Sequence, residues 1–152
     1  MRLLLVMLAG FVAAAPVSAV ADRPPIKKLP AQQAADNLQG TWVIVSMQLN
    51  GQEFPWPVKG DPKISISAGK MIWVQYGKPV SEATYKVDNT KNPKQIQSTF
   101  IQGSEKGKVY VLIYSLEGET LKLGTYLDGK QAPRGFGGKD DEVVIVLKRQ
   151  KG

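Results

Sequence analysis

The chain of 152 residues has no cysteine and no histidine. Those two absences remove most of the chemistry available to a protein of this size. No disulfide can constrain the unfolded chain, so burial and backbone hydrogen bonds must hold the fold. A cysteine nucleophile, a Ser-His-Asp triad, a typical zinc or copper site and histidine ligation of haem are excluded together. A hydrolase would have to run on carboxylates or on a Ser-Lys pair. Carboxylates cluster in sequence only at Asp140-Asp141-Glu142, whose neighbours point in different directions on extended chain, so they read as the solvated start of a strand or a weak calcium site. Gly138-Lys139-Asp140 leads into a strand and lacks the Gly-Lys-Ser/Thr ending of a phosphate loop. The basic residues form no stripe interleaved with aromatics, so no nucleic-acid partner is expected. There is no internal repeat. No catalytic residue, metal ligand set or cofactor is assigned, and the chain is read as a non-enzyme.

Residues 1–21 have the features of a secretory signal. Arg2 gives the positive start, Leu3 to Leu8 and Phe11 to Ala15 the apolar stretch, and Ala19-Val20-Ala21 the small-residue cleavage pattern. A retained anchor is the competing reading; Gly10, Pro16 and the cleavage pattern favour removal, leaving no membrane span. A mature chain from Asp22 has no cysteine to carry a lipid, so an exported, soluble monomer, periplasmic or extracellular, is expected. Removing Arg2 takes the formal charge from +7 to +6 (7 minus 1). That balance serves solubility, or attraction to an anionic polysaccharide or surface. Residues 22–35, rich in proline and then in alanine, read as a linker and short helix, and Ala31 to Leu38 carries the helical spacing.

Residues 36–150 read as one domain of strands and tight turns. Nine segments qualify: Thr41–Leu49, Gln52–Phe54, Lys63–Ala68, Met71–Tyr76, Ala83–Val87, Lys94–Ile101, Lys108–Leu116, Thr120–Leu127 and Glu142–Arg149. Asn50-Gly51 suits a two-residue hairpin turn. Most links are too short for helical crossovers, so sequence neighbours should pair antiparallel. A long antiparallel meander must protect its edges or close, which predicts an all-β, up-and-down barrel. If Trp42 faces inward, strict alternation also turns Ser46 and Gln48 inward and Met47 and Leu49 outward. Either the interior is partly polar or a bulge shifts the register midway.

Leu38-Gln39-Gly40-Thr41-Trp42, Asn89 to Lys94, Gly103 to Lys108, Ile113 to Leu123 and Val146-Leu147-Lys148-Arg149 occur in an order and spacing that resembles an uncharacterised lipocalin-like domain family, abundant in secreted planctomycete proteins. The resemblance spans about residues 36–150. It implies a calycin-type barrel with no assigned activity. It also implies that Trp42 plugs one end beneath an arginine from the last strand, with Arg149 the first candidate and Arg134 the second. Two departures stand out: Gly124 where that family often has a cysteine, and Ala132-Pro133-Arg134 where it has an Arg-Pro pair.

Trp42 admits ligand stacking or structural plugging. Trp56, between Pro55 and Pro57, is either a lid over a barrel mouth or an apolar ring folded back on the core. Together with Tyr85, Tyr114 and Arg134 it makes up the candidate lining or mouth of a ligand site. The expected function is non-catalytic binding of a small apolar or amphipathic molecule inside the barrel. The alternative is a structural or interaction domain of the cell envelope with a filled barrel. A small eight-strand barrel permits both.

Overall fold

A computed structural model describes residues 30–54, 59–137 and 140–152. The expected signal segment 1–21, the expected linker up to residue 29 and Trp56 lie outside the described residues. The first element, helix α1 (Pro30–Leu38), opens on a proline, tolerated where a helix has no hydrogen bond to lose. It ends at Leu38, and Gly40, with a φ of +133°, turns the chain into the first strand.

Nine strands follow: β1 (Gly40–Leu49), β2 (Gln52–Glu53), β3 (Lys63–Ser67), β4 (Lys70–Gln75), β5 (Lys78–Asp88), β6 (Gln95–Gln102), β7 (Val109–Glu117), β8 (Thr120–Tyr126) and β9 (Glu142–Arg149). From β3 onward each pairs antiparallel with the next, β1 pairs antiparallel with both β2 and β3, and β9 pairs back onto β1 from Trp42↔Arg149 to Leu49↔Val143. Eight strands thus close into an up-and-down barrel of the lipocalin type, with β2 a short spur on β1. Closure satisfies both would-be edges.

Turn chemistry sets the register. Ala68-Gly69 and Tyr76-Gly77 both take positive φ at two successive residues, the geometry that matches strand twist in a two-residue hairpin. Strand β5 starts five residues earlier than the sequence suggests, at Lys78. Pro79 would ordinarily bar that stretch from pairing. It is accommodated because it faces Val74 at a bulge beside Val80, where a missing N–H costs no regular ladder bond.

A second bulge answers the question posed by β1. Ile44 pairs with Leu147 and Ser46 with Val146, leaving Val45 as the extra residue. Past it Met47 faces the same way as Ile145, which packs on the core, while Ser46 and Gln48 turn outward. The interior is therefore apolar along the whole of β1.

The inward side chains make one cluster that includes Leu38, Trp42, Ile64, Met71, Ile96, Leu121 and Leu147, all 0 % exposed. These lie toward the end covered by α1. A smaller apolar contact forms on the outer surface, where Phe136 of the 127–141 connection lies over Gly124 and Ile113. Lys122 Nζ stands 5.4 Å from the Phe136 ring centroid. Among the described residues no helix is long and apolar enough to cross a membrane.

Candidate functional site

The two ends of the barrel differ in construction. At the helix end, Trp42 donates its indole N–H to the Leu38 carbonyl at 2.8 Å and is fully buried. Arg149, paired with it across β1 and β9, lies over the ring with Cζ 4.2 Å from the centroid. Its guanidinium also donates to the carbonyl of Asn37 at 2.9 Å and to that of Gln39, and pairs with Glu119 at 3.2 Å. One side chain therefore stacks on the plug and satisfies carbonyls at the end of α1 that have no partner within the helix. Gly40 is part of the same arrangement, because a Cβ there would stand 2.7 Å from Arg149 Nη1.

Arg134 has no place in this arrangement. It is exposed in the 127–141 connection, before Phe136. The neighbouring acidic run divides: Asp140 and Asp141 form a turn with positive φ, Asp141 donates its N–H to Asn50 Oδ1, and Glu142 is buried as β9 begins.

Tyr85 and Tyr114 both face the interior, at 8 % and 5 % exposure. They sit toward the helix end, on opposite flanks of α1. Tyr85 lines a groove of about 520 Å³ with Ala35, Gln39 and Val87, and Tyr114 lines a second, of about 280 Å³. The Tyr114 hydroxyl is buried without a hydrogen-bond partner among the described residues, and burial raises its pKa above the ordinary tyrosine value. Of the four ligand candidates, then, two are in the barrel near its closed end, one is on an outer loop, and Trp56 is outside the described residues.

The far end carries a cluster that the sequence did not single out. Trp73 and Phe100 stack at 4.8 Å between centroids, and Tyr110 meets Phe100 edge-on at 5.5 Å. Cross-strand register places all three inward: Trp73 shares a face with Ile64, Phe100 with Ala83, and Tyr110 with Ser98. All three are only partly buried. Beneath them Ser98 is 1 % exposed, and its hydroxyl has no hydrogen-bond partner among the described residues.

The rim above this cluster is charged. The Tyr110 hydroxyl donates to Glu105 Oε2 at 2.7 Å, and Lys108 Nζ reaches the same oxygen at 2.7 Å. Bonds from Lys108 and then Tyr110 hold the Glu105 carboxyl below its ordinary value. The same contact raises Lys108, and together with burial it raises Tyr110. The signal available in the sequence was the even spacing of Ile96, Ser98 and Phe100 against Tyr110, Leu112 and Tyr114. It needed the β6–β7 register to become a surface.

Around that rim lie Phe54, Tyr76, Val80, Val109 and Leu127, five of the six large apolar residues that are exposed among the described residues. The sixth, Val45, is the bulge residue of β1. Compared with protein-family models, curated proteins and solved structures, the chain matches none.

Proposed function

We propose that this chain is an exported, non-catalytic binding domain that takes a small apolar or amphipathic molecule at the barrel end opposite the helix. One observation carries the reading: near α1 the inward Trp42, Ile64, Ile96, Leu121 and Leu147 are fully buried and the partly buried Val87 and Leu116 line the grooves flanking the helix, whereas at the other end the inward Trp73, Phe100 and Tyr110 form a partly exposed aromatic cluster. Three aromatic faces under a Glu105-Lys108 rim suit a molecule with an apolar body and a polar head. Export rests on the signal-like residues 1–21. The absence of histidine and cysteine from the sequence supports a non-enzymatic role.

The test is a titration with the fluorescent probe N-phenyl-1-naphthylamine, followed by displacement with dodecanoate. Saturable binding that quenches Trp73 and weakens at least tenfold in Phe100→Ala supports the proposal. A wild-type protein that shows no saturable signal overturns it.

A second reading is favoured by the exposed apolar ring at the same end. There the barrel is a filled interaction domain of the cell envelope, and Phe54, Tyr76 and Leu127 meet a partner protein. Native mass spectrometry of protein from its own host separates the two, through a co-purifying small molecule or a bare chain bound to another protein.

A further inference from the structure

Helix α1 crosses the closed end of the barrel and leaves a groove on one flank. Gln33 and Asn37, one turn apart, form its helical wall. Asn89 and Lys94 come from the β5–β6 connection, and Tyr114 and Leu116 from β7. The groove holds about 280 Å³, near the lower limit for small-molecule sites.

Its lining is mostly polar. The side chains of Gln33, Asn37, Asn89 and Lys94 have no hydrogen-bond or ion-pair partner among the described residues. Tyr114, which completes the wall, is buried and its hydroxyl is likewise unpartnered. Gln33, Asn37 and Lys94 are exposed, so in the free protein water satisfies them, and a ligand that reaches them together with Asn89 replaces that water. Their composition defines the ligand. Lys94 supplies one positive charge, matching one carboxylate. Three side-chain amides offer both donors and acceptors, which suits hydroxyl groups, since a hydroxyl is also both. Leu116 and the Tyr114 ring give an apolar patch for the C–H face of a saturated ring.

We infer that this groove binds a small, hydroxyl-rich carboxylate of about one sugar ring, a hexuronate in form. Lys94 takes the carboxylate, and Gln33, Asn37 and Asn89 take the hydroxyls. The site is at the opposite end of the barrel from the aromatic cluster and does not depend on it. Its resonances are distinct from those of Trp73 and Phe100, so failure of either proposal leaves the other readable.

The experiment is a ¹H–¹⁵N titration of the labelled protein with glucuronate, methyl glucoside and acetate in parallel. Glucuronate should shift the side-chain amides of Gln33, Asn37 and Asn89 saturably, with a Kd of about 1 mM or tighter. Methyl glucoside and acetate should each bind at least tenfold more weakly. Lys94→Gln, at an exposed position, should reduce glucuronate to the affinity of methyl glucoside while the resonances of Trp73 and Phe100 stay in place. No saturation at the groove, acetate equal to glucuronate, or shifts spread over the surface and unaltered by Lys94→Gln would each overturn the assignment.

Discussion

Arg149 joins the last strand, the plug and the helix through one planar group, and its substitutes cannot do all three. Lysine keeps the charge but loses the fork that reaches two carbonyls and the flat face over Trp42. Arg149→Lys should therefore destabilise the protein nearly as much as Arg149→Ala, by about 1–3 kcal/mol, read as urea midpoints. A lysine variant indistinguishable from wild type would show that charge alone matters. Gly40→Ala meets two obstacles together, a φ that L residues avoid and the Arg149 guanidinium at 2.7 Å. It should cost about 1–3 kcal/mol, and removing Arg149 in the same chain should recover only the steric part. Gly124 is constrained differently, since its φ is ordinary but a Cβ would stand 3.0 Å from Ile113 and 3.2 Å from Phe136. Gly124→Ala is expected to free the 127–141 connection to proteolysis while the barrel stays folded.

Among the strands, β1 provides the sharpest contrast. Met47→Lys puts a charge on the inward face and should lose at least about 1 kcal/mol, whereas Ser46→Lys, next to it and outward, should stay within about 0.5 kcal/mol. Thermal melts of the pair check this, and equal losses would refute the bulge at Val45. The bulge also marks where sequence reasoning runs out. Alternation identified β1, the Asn50-Gly51 turn and most of the other strands, because tight turns and period-two patterning are local properties. It did not reveal which residue of β1 is extra, because that depends on Leu147 and Val146 a hundred residues away. Pro79 hid the first part of β5 for a similar reason, since only a partner at Val74 makes a proline there harmless. The aromatic cluster at the far end was equally hidden. Trp73, Phe100 and Tyr110 lie on three strands, and nothing local distinguishes them from ordinary packing. Trp42 and Arg149 were legible only through resemblance, whereas the bonds to Asn37 and Gln39 belong to the folded geometry.

Over the whole molecule, titration should leave stability unaltered across the physiological range. There is no histidine to change charge between about pH 5 and 8. The Asp88 carboxyl is held low by its bonds from the Thr90 hydroxyl and amide, and Glu105 by Lys108 and Tyr110. Lowered carboxyls contribute stability above their unfolded values, near pH 4, and lose it as pH falls through the folded ones. Tyr110 and Tyr114 are raised, so their neutral phenols favour the fold below about pH 10, and that contribution disappears as pH rises through the folded values. Urea midpoints should form a plateau from about pH 5 to 9 with a shoulder on each side. A step near pH 6.5 would contradict the assignment.

The β1–β9 seam, where Trp42 meets Arg149, makes the last strand a latch. A chain cut before Glu142 would present two unpaired borders, β1 and β8, and would be prone to self-association. Supplied separately, the peptide Glu142–Arg149 should find the gap and restore a monomeric ring. The molecule is thereby divisible into a receptor and a reporter strand, rejoined by backbone hydrogen bonds, the buried Leu147 and the Arg149 guanidinium.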